Sequence, residues 1–319
     1  MIVVVCLNPA LDVTHRVDAV GWGEVNRPRA VHARPGGKGL NVARTLHALG
    51  ADVLVLGLAG GITGAGVEAS LRELGVPAAF VSVGGETRRT FTVVDGLVAD
   101  GGVTAFHEAG PEVSRDEFAG FLARYQGALP GAGAMVLSGS LPPGLEAGTY
   151  ATLVEAAAAA GVPAVLDAHG EALRQGAAAG PAIVKPNLAE LAALAGPAAS
   201  SALAGRSLTT PEEVTVAAGE LGAAGAVVVT LGPEGLLAAT GDGCWRARIP
   251  AAVAGNATGA GDAVAAALVH GIVLRRPWDE RLRHAAALGA AAAAAPVAGE
   301  FRHQDYLGAL RAVAVEEVR

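Results

Sequence analysis

With 319 residues the chain is long enough for one large α/β domain or two smaller ones, with a sizeable core. Its formal net charge of −7 argues against nucleic acid and anionic membranes as partners, and its two cysteines exclude a disulfide framework and suit a reducing cytosol. Hydrophobic residues make up 52% of the chain but aromatic ones only 4%, so alanine and valine must build most of the interior.

Met1–Leu7 has no basic lead and no cleavage site, so Ile2–Leu7 is expected to be a buried first strand rather than a signal peptide, in a cytoplasmic protein. Asn8-Pro9-Ala10-Leu11-Asp12 ends that strand. Ligands of α/β sheets gather outside the carboxyl ends of strands, which makes Asp12 a candidate for gripping sugar hydroxyls; a turn-forming aspartate is the plain alternative. From Val13 to Arg34 the chain is strand-like, and Arg27 and Arg29 within it could face either ligand or solvent.

Pro35-Gly36-Gly37-Lys38-Gly39-Leu40-Asn41-Val42-Ala43-Arg44 then opens a helix. Its bare N–H groups suit an anion, and Lys38 and Asn41, which no turn requires, can address a sugar hydroxyl or phosphate. A strand is expected over Asp52–Leu58. Thr87–Phe106 is again strand-like, clearest at Thr90–Val94, and strand geometry sends Arg88 and Arg89 to opposite faces. The segments 13–34 and 87–106 are expected to form a small β lid outside the main sheet, within a single unit spanning 1–319.

Ser114-Arg115-Asp116-Glu117 and Thr210-Pro211-Glu212-Glu213 read as capping boxes. Further strands are expected at Ala134–Ser138, Ala164–Asp167, Ala182–Lys185 and Ala226–Leu231, and this alternation implies a mainly parallel sheet covered on both faces. Three strand ends carry polar turns: Ser138 to Gly144, Lys185 to Glu190, and Thr230 to Gly235. Asn187 and Glu190 fall on one helix face, where they could hold a hydrated Mg²⁺ or cap the helix between them. The alanine-rich run Ala285–Ala295 is too short to span a bilayer and reads as a tightly packed internal helix.

The last motif, Gly255-Asn256-Ala257-Thr258-Gly259-Ala260-Gly261-Asp262-Ala263, adds a carboxylate to a second anion-ready helix start. Asp262 either stabilises that helix or deprotonates an incoming hydroxyl, and paired with the first glycine motif it points to phosphoryl transfer. Of the 23 lysines and arginines only Lys38 and Lys185 are lysine, and both fall inside these motifs.

In this order the motifs resemble those of the ribokinase-like (PfkB-type) sugar kinases over essentially the whole chain. The Asn-Pro-Ala-x-Asp opening and Ser-Gly-Ser-Leu-Pro-Pro-Gly resemble the 1-phosphofructokinase and tagatose-6-phosphate kinase branch. The resemblance implies a ribokinase-like α/β fold, ATP and Mg²⁺ as cofactors, and a homodimer contact through the lid. It implies Asp262 as base with Gly259, Ala260 and Gly261 as anion hole, and Asp12, Gly37 and Asn41 on the sugar. Lys38, Arg88 and Arg27 would serve the sugar's existing phosphate, with Ser138 nearby. Lys185, Asn187 and Glu190 would serve ATP and Mg²⁺, while Thr230, Gly232, Gly235 and Asn256 would border the nucleotide. The implied reaction phosphorylates a ketohexose phosphate, with fructose 1-phosphate foremost. Tagatose 6-phosphate, fructose 6-phosphate and unphosphorylated sugars or nucleosides are the alternatives, and a non-catalytic sugar-phosphate sensor is the reading from another class. Thr90, His169 and the lack of an asparagine in the late alanine-rich helix depart from the family pattern.

Overall fold

The computed structural model describes residues 1–97, 102–194, 211–220, 225–249, 259–295 and 297–318. Strand β1 (Ile2–Cys6) is buried on both faces: Ile2, Val4 and Cys6 join one hydrophobic cluster, while Val3 and Val5 join a second. Side chains alternate across a strand, so an unbroken apolar run is what a strand covered from both sides requires.

Parallel strands β4 (Val53–Ala59) and β5 (Ala78–Ser82) extend the sheet on one side of β1. On the other side follow β8 (Ala134–Ser138), β9 (Ala164–Asp167), β10 (Ile183–Val184) and β11 (Ala226–Thr230), all parallel. Antiparallel β12 (Leu236–Thr240), β13 (Gly243–Arg248) and β14 (Ala314–Val318) complete ten described strands, ordered β14-β13-β12-β11-β10-β9-β8-β1-β4-β5. The chain builds outward from β1 in one direction and then restarts beside it with β8. Such a reversal of strand order opens a crevice at the carboxyl ends.

Helices Lys38–Ala48, Ala260–Val273 and Trp278–Ala293 cover one face through Leu40, Leu46, Leu268 and Leu282. Arg115–Ala128, Thr149–Ala159, Gly170–Ala178 and Pro211–Glu220 cover the other through Phe121, Leu153, Leu173 and Val214. The alanine-rich run belongs to the helix Trp278–Ala293, whose small residues let it lie tightly against Ala260–Val273. A methyl group on Gly289 would come within 2.9 Å of Val264 Cγ2. The Ser114 capping box is present, with Glu117 Oε2 accepting from the Ser114 N–H at 2.8 Å. Thr210 of the second box lies outside the described residues, although its helix forms over Pro211–Glu220.

A separate sheet is built from β2 (Ala10–Val17), β3 (Ala30–Gly36), β6 (Arg88–Asp95) and β7 (Gly102–His107), in the order β3-β2-β6-β7. It draws on the two strand-like segments, 13–34 and 87–106, that interrupt the helical pattern. No helix among the described residues is long and apolar enough to cross a membrane.

Candidate active site

Polar residues stand at or just beyond the carboxyl ends of the parallel strands. Asn8 follows β1, Ser138 ends β8, Asp167 ends β9, Lys185 follows β10 and Thr230 ends β11. Each of these side chains is therefore placed by a strand buried on both faces, which leaves little freedom in its position.

Asp262 stands in the first turn of the helix Ala260–Val273, only 6% exposed, and its Oδ2 accepts from Asn41 Nδ2 at 2.9 Å. Gly259 precedes the helix at φ 87°, and a Cβ there would lie 2.8 Å from Ala298 Cβ. Backbone N–H groups of this turn and the positive helix end favour negative charge beside Asp262. Burial, and then the charge of Asp167, push the Asp262 pKa up to about 7. A carboxylate so tuned can take a proton near neutral pH.

Asp167, fully buried, joins the chain's two lysines. Its Oδ1 lies 3.1 Å from Lys38 Nζ and 3.2 Å from Lys185 Nζ, and Glu190 Oε1 lies 3.8 Å from Lys38 Nζ. Burial would raise the Asp167 pKa, but Lys185 and Lys38 outweigh it and hold it below the usual carboxylate value. Burial likewise pulls the Lys38 ammonium down, while Asp167, Asp262 and Glu190 more than offset it and raise its pKa.

On the small sheet, Asp12 sits opposite Arg34 on one side and Thr90 on the other, and Ala10 sits opposite Arg88. Burial raises the Asp12 pKa, against hydrogen bonds from Thr90 and the Gly37 N–H. Arg88 Nε donates to Asn8 O at 3.1 Å, and its Nη2 would be 3.5 Å from a Cβ on Gly37, whose φ is 84°. A side chain at Gly37 would therefore be strained by that backbone angle. Arg89 turns to the opposite face, pairing with Glu108 at 3.2 Å and lying over the Phe91 ring. Of the two neighbouring arginines, Arg88 faces the cleft.

Asn187 and Glu190 satisfy one another as a capping box: Glu190 N donates to Asn187 Oδ1 and Asn187 N to Glu190 Oε2, both at 2.8 Å. Glu190 Oε1 remains, beside Lys38. No group of three or more His, Cys, Asp or Glu suited to a metal occurs among the described residues. One spare carboxylate oxygen and an amide oxygen with a second lone pair fit an ion that keeps its water, as Mg²⁺ does. Beyond β11, Gly232–Glu234 forms a tight turn, and Gly235 leads into β12 with Leu231 N donating to its carbonyl at 2.9 Å.

Three candidates remain. Ser138 is fully buried beside Asp167, with no hydrogen-bond partner for its hydroxyl. Arg27 is exposed in the connection at the far end of the β2–β3 hairpin from Asp12. Asn256 lies outside the described residues.

A family model described as "pfkB family carbohydrate kinase" matches residues 2–302. The chain belongs to the PfkB family of carbohydrate kinases. Solved structures similar to this PfkB kinase include the tetrameric inhibited form of phosphofructokinase-2 from Escherichia coli, at 32% identity and TM-score 0.84, covering 97% of this chain and 98% of that one. The same enzyme in complex with fructose-6-phosphate matches at 30% identity and TM-score 0.82, with the same coverage. A protein described as a possible 1-phosphofructokinase from Thermotoga maritima matches at 27% identity and TM-score 0.87, with 100% of both chains covered.

Two groups beside the PfkB kinase's candidate site were given no role by the motifs. Asp167 read as the last residue of a strand, and only its pairing with lysines distant in sequence reveals its place. Arg44, 7% exposed, and Glu300 form the second: Arg44 Nη2 lies 3.0 Å from Glu300 Oε1, which also takes Arg34. Arg44 further donates to Pro35 O at 3.3 Å and Ala298 O at 3.2 Å, joining the first glycine motif to the segment behind Gly259. Arg44 ends the first glycine motif, whereas no motif announces its partner Glu300.

Proposed function

We propose that this kinase transfers the γ-phosphoryl group of ATP to a phosphorylated ketohexose, with fructose 1-phosphate giving fructose 1,6-bisphosphate as the leading reaction. The observation that carries the reading is Asp262: a buried carboxylate at an anion-ready helix start, bonded to Asn41, with its pKa pushed up to about 7. The acceptor hydroxyl gives its proton to Asp262 as its oxygen bonds to the γ-phosphorus. The bond from that phosphorus to the bridging oxygen breaks, and ADP leaves. Backbone N–H groups of Gly259, Ala260 and Gly261 face the charge on the transferred group. Asp12, Gly37 and Asn41 hold the sugar and Arg88 its existing phosphate. Lys185, Thr230, Gly232 and Gly235 border the nucleotide. Mg²⁺, held through water by Glu190 and Asn187, would neutralise phosphate oxygens.

A second reading is favoured by the likeness to phosphofructokinase-2, whose structure holds fructose-6-phosphate. On this reading the substrate is fructose 6-phosphate or tagatose 6-phosphate. A coupled ADP-release assay over hexoses and hexose monophosphates separates the cases. Highest kcat/KM on fructose 1-phosphate supports the first reading, a preference for a 6-phosphate supports the second, and turnover of free hexoses alone sinks both.

The base role sets a pH profile. Only ionised Asp262 accepts the proton, so kcat/KM is expected to fall about tenfold per pH unit below the point at about 7 where the carboxyl protonates. A profile flat down to pH 5 would remove Asp262 from the chemistry.

One face of the small sheet carries exposed apolar side chains, among them Val31 and Phe106 at 55% and 56% exposure. We assign this face to a second copy of the chain, with the sheet acting as a lid. Light scattering is expected to give a dimer or a multiple of one; a fully active monomer at all concentrations contradicts the assignment.

A further inference from the structure

We propose that Asp167 is a positioning residue that gathers Lys38 and Lys185 onto one oxygen, so that both ammonium groups meet the phosphoryl group in transit. The inference rests on the kinase reading above and extends it to residues on both sides of the transfer.

The geometry is specific. Asp167 Oδ1 alone takes both ammonium groups, at 3.1 and 3.2 Å, while Oδ2 has no partner. Asp167 ends β9, Lys185 follows the adjacent β10, and Lys38 arrives from the start of a helix on the sugar side. Lys185 is 3% exposed and abuts the anion-ready turn: a Cβ on Gly261 would lie 3.5 Å from its Nζ. The Lys38 side chain is 35% exposed and remains open to a ligand.

This arrangement accounts for lysine rather than arginine at these two positions. Two compact ammonium groups can converge on one carboxylate oxygen, whereas an arginine fork engages a carboxylate through both of its oxygens. Two cations on one buried anion leave a formal charge of +1, which the Glu190 carboxylate, 3.8 Å from Lys38, balances. Both ammonium groups lie close enough to Asp262 to act on its charge. During transfer the new oxygen–phosphorus bond forms, the bond to the bridging oxygen breaks and the proton passes to Asp262. Both lysines keep their protons and neutralise charge on the group between the two oxygens. Lys38 thereby belongs to the transferred phosphoryl, and the sugar's existing phosphate falls to Arg88.

Asp167→Asn and Lys38→Met test this on the full-length enzyme, with Tm recorded for each. Both are expected to lower kcat by about 10², the scale for losing one preorganised charge-stabilising donor, with KM for the sugar phosphate within about threefold of wild type. Because one unit is being dismantled, the double variant is expected to lose little more than the worse single one. The acid limb of the pH profile is expected to move down in Asp167→Asn. Asp167 helps hold the Asp262 carboxyl up, while Lys38, Lys185 and the Asn41 hydrogen bond act the other way. Should two unpaired ammonium groups prevent Asp167→Asn from folding, Lys38→Met, Lys185→Met and their double carry the same non-additivity test. Additive losses would overturn the proposal. A raised KM for sugar phosphate at unchanged kcat would overturn it too, by placing Lys38 on the existing phosphate. So would recovery of kcat at high Mg²⁺, which would make Asp167 a metal ligand. Absence of ATP turnover by the wild type on every sugar overturns the kinase reading with it.

Discussion

Asp262→Asn is expected to lower kcat by about 10² to 10⁴, the scale of general-base loss, with ATP binding little changed. Asparagine keeps an oxygen for Asn41 Nδ2, so the 2.9 Å hydrogen bond and the helix start can survive. What disappears is the carboxylate beside Gly259–Gly261 that can accept the hydroxyl proton. The stability change is expected to have the opposite sign. Burial and Asp167 raise the folded-state pKa of Asp262 to about 7, above its value in an unfolded chain. The folded state therefore favours the protonated form. Ionised Asp262 costs stability that grows as pH rises toward 7 and stays constant above it. The neutral amide removes that cost, so Asp262→Asn is expected to match or exceed wild-type Tm at pH 8 while being almost inactive. Near-normal turnover of a folded Asn variant would make Asp262 a helix cap and nothing more.

Arg88→Ala is expected to raise KM for the sugar phosphate, by about 2–5 kcal/mol of lost binding if the charged pair is desolvated when the small sheet closes. KM for ATP should move far less. Arg88 is held ready by its bond to Asn8 O and its packing over Gly37, so little ordering is required when a phosphate arrives. Added salt should weaken sugar-phosphate binding more in wild type than in the variant, because only wild type presents the cation to be screened. Equal losses on phosphorylated and free hexoses would show that Arg88 recognises no phosphate.

Much of this architecture was legible from local pattern. The runs that became β1, β8 and β9 are apolar without alternation, which only a doubly covered strand tolerates. The antiparallel end of the sheet was harder to see. β13, Gly-Cys-Trp-Arg-Ala-Arg, mixes apolar with charged residues, and β14, Ala-Val-Glu-Glu-Val, carries two charges on an exposed edge, so nothing in its own composition separates it from a surface loop. The Asn187–Glu190 spacing allowed both a metal and a cap, and the mutual hydrogen bonds show the cap forms whatever else the pair does.

The sequence alone determined where anions can be held, because a glycine turn before a helix exposes N–H groups through local geometry, and it placed Asp262 at one such turn. It also marked Lys38 and Lys185 as exceptional. Only the tertiary structure decided which charges meet. Lys38, Asp167 and Lys185 come together because β9 and β10 are neighbours and the first glycine motif folds across their ends. Which of Arg88 and Arg89 faces the cleft was decided by the register of β6 on β2. Electrostatic pairing depends on distances of a few ångströms between residues far apart in the chain, and no local periodicity encodes them.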